Sequence, residues 1–202
     1  MIRLHCSLLS TFSRRVRMAL LEKDIEHELA VIDMAAGAHK KPEYLALNPY
    51  GRVPAIEEDG FVLYESTAIL GYIDSLKPEP SLFPQAARER ALVDMHMKLC
   101  DLEFTRYAGA ILFPKRFRPK ECWDLAAFDQ ARGPMERHLA IVARQLGDRE
   151  YLVGDRFTAA DLVYTPHLQF LPLLVIDTPV AIAAWAKRLL ARRSAATTAP
   201  DR

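Results

Sequence analysis

Along the first 76 residues the spacing of apolar positions changes repeatedly. Leu4 and Cys6 alternate with Arg3 and His5, a period of two that predicts a short strand over residues 2–6. Phe12, Val16, Ala19, Leu20 and Lys23 then fall at helical spacing, one apolar face with arginines opposite. Ile25, His27, Leu29 and Val31 return to alternation. Strand, helix, strand predicts a parallel βαβ unit with a right-handed crossover. A polar segment, GAHKKPEYLALNPYGRVP, leads to two short apolar strands over 55–57 and 61–64. Between them Glu58-Asp59-Gly60 supplies a tight turn, because glycine takes positive φ without a Cβ clash. Ala68, Ile69, Tyr72, Ile73 and Leu76 stripe a helix over 66–76. The order βαβ then ββα predicts a small mixed sheet covered by helices.

The pattern breaks at KPEPSLFP, where three prolines in eight residues cannot continue a helix. This places a linker at 77–85 between a first domain, 1–76, and a second, 86–202. The second reads as helices throughout, over 86–113, 120–146, 158–174 and 180–191, with residues 194–202 a disordered tail. In FTAADL, Thr158 is positioned to cap a helix and Asp161 to reach back to the cap's amide, which predicts a buried, structural Asp161.

Composition narrows the function classes. With 27 basic against 26 acidic side chains the net charge of +1 gives no global field for a nucleic acid or a membrane surface, so neither partner is expected. Cys6, Cys100 and Cys122 form no C-x-x-C pair, which argues against a disulfide framework or a zinc site and for a reducing compartment. His96 and Cys100, four apart, are the one pair with ligand-like spacing; two ligands do not close a metal site, and no metal is expected. The start MIRLHCSLL lacks the apolar core of a signal peptide, and no run is long enough to span a bilayer, so the expected location is cytoplasmic.

Four stretches carry candidate chemistry, each with a structural reading beside it. In NPYGRVPAI, Pro54 holds Val53 extended, either as an ordinary strand start or as an edge whose amide and carbonyl pair with an extended peptide. Tyr64-Glu65-Ser66 opens a helix. It reads as a serine cap, or as an anion site beside a carboxylate, which together suit a zwitterionic amino-acid head. His39, Lys40 and Lys41 are solvated loop cations or the partners of a distant carboxylate. Ser10 stands where the first strand has ended and the first helix begins. It is a plain N-cap, or a hydroxyl that donates to a thiolate. Ser7 is its rival, and Ser13 lies inside the first turn.

Taken together, STFSRRV with LLEK after it, GAHKKPEYLALNPYGRVPA, YESTAI and FTAADL resemble the glutathione transferase family over essentially the whole chain. The residues are most similar to its serine-type, phi-like members. The resemblance implies a thioredoxin-like α/β N-terminal domain followed by an all-α helical-bundle domain, assembled as a homodimer. It also implies transfer of the thiolate of reduced glutathione, a co-substrate and not a bound cofactor, to small apolar electrophiles. By the same resemblance Ser10 activates the thiol, and His39 and Lys40 hold the glycyl carboxylate. Val53 pairs with the cysteinyl backbone ahead of a cis Pro54, and Glu65 and Ser66 take the γ-glutamyl group. Arg52 departs from the glutamine common there in phi-like enzymes. The electrophile pocket is expected to draw on Leu8, Leu9 and Phe12 of the first domain and on Phe104, Tyr107 and Phe113 of the second. The basic run KRFRPK, Lys115 to Lys120, reads as a solvated loop or as a preference for anionic substrates.

Other classes predict different residues. A thiol–disulfide reductase needs a cysteine at position 10, and Cys6 belongs to the strand. A non-enzymatic interaction module is expected to lose the ligand set, which here is complete. A zeta-like isomerase shares the serine-rich start before RVR, and peroxidase chemistry is open to the same thiolate.

Overall fold

A computed structural model describes residues 1–200. The chain forms two compact units, residues 1–83 together with the C-terminal stretch from Arg193, and residues 84–192.

In the first unit the elements run β1 (Ile2–Cys6), α1 (Thr11–Glu22), β2 (His27–Val31), a single turn α2 (Pro42–Leu45), β3 (Ala55–Glu58), β4 (Phe61–Tyr64) and α3 (Ser66–Leu76). The sheet order is β2-β1-β3-β4. β1 pairs parallel with β2, Cys6 opposite Val31, and antiparallel with β3, His5 opposite Ala55. β3 pairs antiparallel with β4, Ala55 opposite Tyr64. Leu4, Val16, Leu20, Ile56, Ile69 and Ile73 are fully buried between the sheet and the two long helices. Two expectations about polar positions change. His5 is buried although it alternates with apolar neighbours. Arg14 and Arg15 are buried too, rather than facing solvent from the far side of α1.

The reason is that each buried charge finds oxygen partners far away in sequence, as burial demands. Lys23, wholly enclosed, donates to Asp74 at 2.6 Å and to the Pro80 carbonyl at 2.7 Å. Asp74 also accepts the Leu82 amide at 2.8 Å, so the proline-rich stretch is tied down as far as this residue. Arg14 donates to the Ala195 carbonyl at 2.8 Å and to Thr198 Oγ1 at 3.2 Å. The tail expected to be disordered from 194 is instead a short helix, Arg193–Thr197, that packs on α1. Ser194, Ala195 and Thr198 are buried, and the last carbonyls of that helix satisfy the Arg14 guanidinium. The remainder of the expected tail, 201–202, lies outside the described residues.

The second unit is helical: α4 (Ala87–Leu99), a π-helical turn (Cys100–Thr105), α5 (Arg106–Phe117), α6 (Leu125–Leu146), three single turns α7 (Ala159–Leu162), α8 (Thr165–Leu168) and α9 (Leu171–Leu174), and α10 (Val180–Leu190). α5 runs past Phe113, its expected end, because Pro114 sits inside the helix and removes only its own amide bond. The single helix expected over 158–174 is instead broken into turns. Pro166 and Pro172 lack the amides that would join them. Asp161 is fully buried, as its place in FTAADL predicts. Its carboxylate accepts the amides of Leu152 at 2.9 Å and Thr158 at 3.0 Å, and Trp185 Nε1 at 3.1 Å. Burial pushes its pKa up to about 6, against the pull of those donors. The fold agrees with the expected class: a four-stranded mixed α/β unit followed by an all-helical one.

Candidate active site

Strand directions decide which loops meet. β1 and β2 run parallel and β3 runs against both β1 and β4, so the exits of β1, β2 and β4 and the entry of β3 share one end of the sheet. Those four positions lead into Ser7–Ser10, the His39–Lys41 loop, Glu65–Ser66 and Val53–Pro54. Residues spread over sixty positions of sequence are gathered by topology at that sheet end.

Ser10 is the N-cap of α1, with extended backbone, and its Oγ accepts the Ser13 amide at 3.2 Å. The first intrahelical bond runs from the Arg14 amide to the Ser10 carbonyl, so the Thr11 and Phe12 amides sit at the positive end of the helix. The structural reading of Ser10 therefore holds, and it leaves the hydroxyl hydrogen uncommitted. Ser13 is fully buried and its oxygen accepts the Ser7 amide at 3.3 Å. The Ser7 carbonyl in turn accepts the Ser10 amide at 3.1 Å. Both neighbours build the turn that presents Ser10, which is itself half-buried.

The Val53 segment is positioned by residues that the sequence did not single out. Tyr44 Oη at 2.6 Å and Asn48 Nδ2 at 2.7 Å both donate to the Arg52 carbonyl. Tyr44 and Asn48 are buried, and burial beside Cys6 pushes the Tyr44 phenol up to about 12, so it stays a donor. Gly51 has φ +57°, and a Cβ there would lie 2.9 Å from the His39 carbonyl. Only glycine allows this close approach, and it brings the His39 loop against the Val53 segment. The Val53–Pro54 bond is cis. The strand it leads into is interior to the sheet, not an edge. What stays open is Val53 itself, whose amide and carbonyl pair with no backbone group outside the sheet and helices among the described residues.

Glu65 has φ 72° and ψ 111°, a region that non-glycine residues avoid, at a cost of about 1–3 kcal/mol. Its side chain makes no cap bond. Ser66 opens α3, is buried, and receives Arg15 Nη1 at a long 3.5 Å. The first bond of α3 is from the Ile69 amide to the Glu65 carbonyl, so the preceding amides form an anion-favouring end. His39 is half-buried and its Nδ1, shielded from water, has no hydrogen-bond partner. Lys40 and the Arg52 side chain are exposed.

Of the expected electrophile-pocket residues, Leu8, Leu9 and Phe12 are exposed apolar side chains on the first unit, with the Arg15 guanidinium 4.8 Å from the Phe12 ring. Phe113 is 54% exposed and Tyr107 half-buried on the second. Phe104 must be removed from that set. It is 0% exposed, packed against the rings of His138, Tyr164 and His167, and belongs to the helical core.

Comparison with known proteins gives the family of the chain. The family "Glutathione S-transferase, N-terminal domain" matches residues 9–76, and "Glutathione S-transferase, C-terminal domain" matches residues 125–192. Glutathione S-transferase PARB of Nicotiana tabacum is 33% identical over 199 residues, covering 95% of this chain and 93% of the relative. The crystal structure of glutathione transferase F2 from Populus trichocarpa superposes with a TM-score of 0.89 at 29% identity, over 98% of this chain and 97% of that one. A solved structure of glutathione S-transferase-I bound with lactoylglutathione gives a TM-score of 0.84 at 27% identity, over 98% and 97%. The chain belongs to the glutathione S-transferase family and is an enzyme of that family. No helix among the described residues is long and apolar enough to cross a membrane.

Proposed function

We propose that the enzyme joins the sulfur of reduced glutathione to small apolar electrophiles, with Ser10 as the donor that stabilises the thiolate. The observation that carries this reading is the state of Ser10: its oxygen is occupied by the Ser13 amide, so its hydrogen is the group left to give. A free thiol of this kind has a pKa of about 8.5, and each unit of depression corresponds to about 1.4 kcal/mol favouring the anion. A donated hydrogen bond and the end of α1 both act in that direction. The thiolate then attacks an electrophile held beside it, and proximity supplies much of the acceleration.

The rest of the sheet end fits the tripeptide in order. Glu65 and the amides opening α3, with Ser66, suit the ammonium and carboxylate of the γ-glutamyl head. The free amide and carbonyl of Val53 suit the cysteinyl backbone. His39 and Lys40 suit the glycyl carboxylate, with Arg52 as a further cation nearby. The same likeness carries the expectation of a cytoplasmic homodimer with glutathione and the electrophile as its partners.

Capping and thiolate donation are separable by substitution. Ser10→Asp keeps an acceptor for the Ser13 amide, and so keeps the melting temperature, but sets a negative charge beside the thiol. Its turnover is expected to fall by about 10²–10³, the loss typical of one transition-state donor. Turnover unchanged in Ser10→Asp would reject Ser10 and turn attention to Ser7.

A further inference from the structure

The first half of the run KRFRPK is helix rather than solvated loop. Lys115, Arg116 and Phe117 form the last turn of α5, and Arg118 caps it in extended conformation. Phe113 and Phe117, one turn apart, lie with ring centroids 5.5 Å apart and remain 54% and 47% exposed. The Arg116 guanidinium is half-buried, 4.9 Å from the Phe117 ring and 4.3 Å from that of Phe170. Arg118 folds back to 5.4 Å from Phe113. Two guanidinium groups thus bracket a pair of exposed phenyl rings.

What these cations lack is an anion. Neither Arg116 nor Arg118, nor the adjacent Lys115, has a carboxylate within ion-pair distance among the described residues. Burial lowers the pKa of Arg116 and of Lys115, and no acidic neighbour opposes it. A partly desolvated cation without a counter-ion is costly, and the aromatic faces offset only part of that cost. A ligand that stacked on the phenyl pair and carried one negative charge at its rim would complete the arrangement. A neutral ring would gain only the stacking.

We propose that Phe113, Phe117, Arg116 and Arg118 form a binding site for aromatic anions, through which the enzyme selects electrophiles that carry an acidic group. The second half of this inference rests on the reading of Phe113 as part of the electrophile pocket. The chemistry is nucleophilic aromatic substitution: the glutathione thiolate forms the new C–S bond, the C–Cl bond breaks, and chloride leaves with the electron pair.

A matched pair of substrates tests it, 4-chloro-3,5-dinitrobenzoate against the neutral 1-chloro-2,4-dinitrobenzene. The Arg116→Gln/Arg118→Gln double variant is expected to lose about tenfold in kcat/KM for the benzoate, equivalent to about 1.4 kcal/mol, and less than twofold for the neutral substrate. Arg116→Lys/Arg118→Lys should keep most of the preference, and added salt should erode it in the wild type. Equal losses for both substrates, or none for either, would overturn the proposal. A parallel calorimetric titration uses 3,5-dinitrobenzoate and 1,3-dinitrobenzene, which cannot react. If neither chloride is turned over, the conjugation reading fails alone, and the titration still decides the site. Benzoate binding that needs both arginines supports it, whereas no binding, or binding unchanged in the double glutamine variant, refutes it.

Discussion

Two polar centres of this protein use their hydrogen-bonding capacity in opposite ways. At Asp161 the carboxylate is closed in by the amides of Leu152 and Thr158 and the Trp185 indole, in a fully buried setting. At the sheet end of the first unit, capacity is left over. Ser10 accepts one bond and keeps its hydrogen, Val53 presents an open amide and carbonyl, and His39 holds an unpartnered Nδ1. Glu65 is held at positive φ and its side chain makes no cap bond. A closed centre offsets much of its desolvation cost with donors from its own chain, whereas an open one waits for a ligand to do so.

The contrast can be broken most sharply at Asp161. Asp161→Ala strands four buried donors, the Leu152 and Thr158 amides, the Thr158 hydroxyl and the Trp185 indole; at about 1–3 kcal/mol for a stranded donor, a loss of about 4 kcal/mol or more is expected in urea denaturation followed by helical circular dichroism. A loss under about 1 kcal/mol would show that the centre is not closed as described.

A second closed group gives a pH handle. His138 is 5% exposed and its Nε2 lies 2.9 Å from the Tyr164 hydroxyl. Burial, aided by nearby His96, lowers its pKa to about 4. Because the folded value lies below the ordinary one of about 6.5, its contribution is complete above that pH and is lost as pH falls through the folded value. Asp161, raised to about 6, acts with the opposite sign over part of the same range, so the His138→Gln difference isolates the imidazole. Wild type should lose about 2 kcal/mol more than His138→Gln on acidification, allowing for partial solvent screening. Parallel stability curves would contradict this.

The smallest expected change, and one of reversed sign, is at the open centre. Glu65→Gly relieves the positive φ and should stabilise the protein by about 0.5–1 kcal/mol, while weakening glutathione binding. A variant that is both less stable and equally avid would remove Glu65 from the site.

The same contrast explains what the sequence made legible. The strands, α1 and α3 follow from apolar spacing, and the ligand-facing residues follow because they stand in short loops at the ends of those elements. Tyr44, Asn48 and Gly51 went unread, since their work is to hold the Arg52 carbonyl and the His39 backbone, contacts that local pattern does not display. Arg14 read as a surface residue and the C-terminal stretch as disordered for one shared reason. Each satisfies the other across 181 positions of sequence. Phe104 misled in the opposite direction, because an aromatic at helical spacing looks alike in a core and in a pocket.

Whether Ser10 is a cap whose hydrogen is kept for a thiolate is decided by titrating glutathione bound to wild type and to Ser10→Ala, following thiolate absorbance in the ultraviolet. In wild type the bound thiol pKa should lie below the free value of about 8.5, and in the variant it should return towards that value while the tripeptide still binds. An equally depressed pKa in both proteins, or no depression in either, would contradict this role.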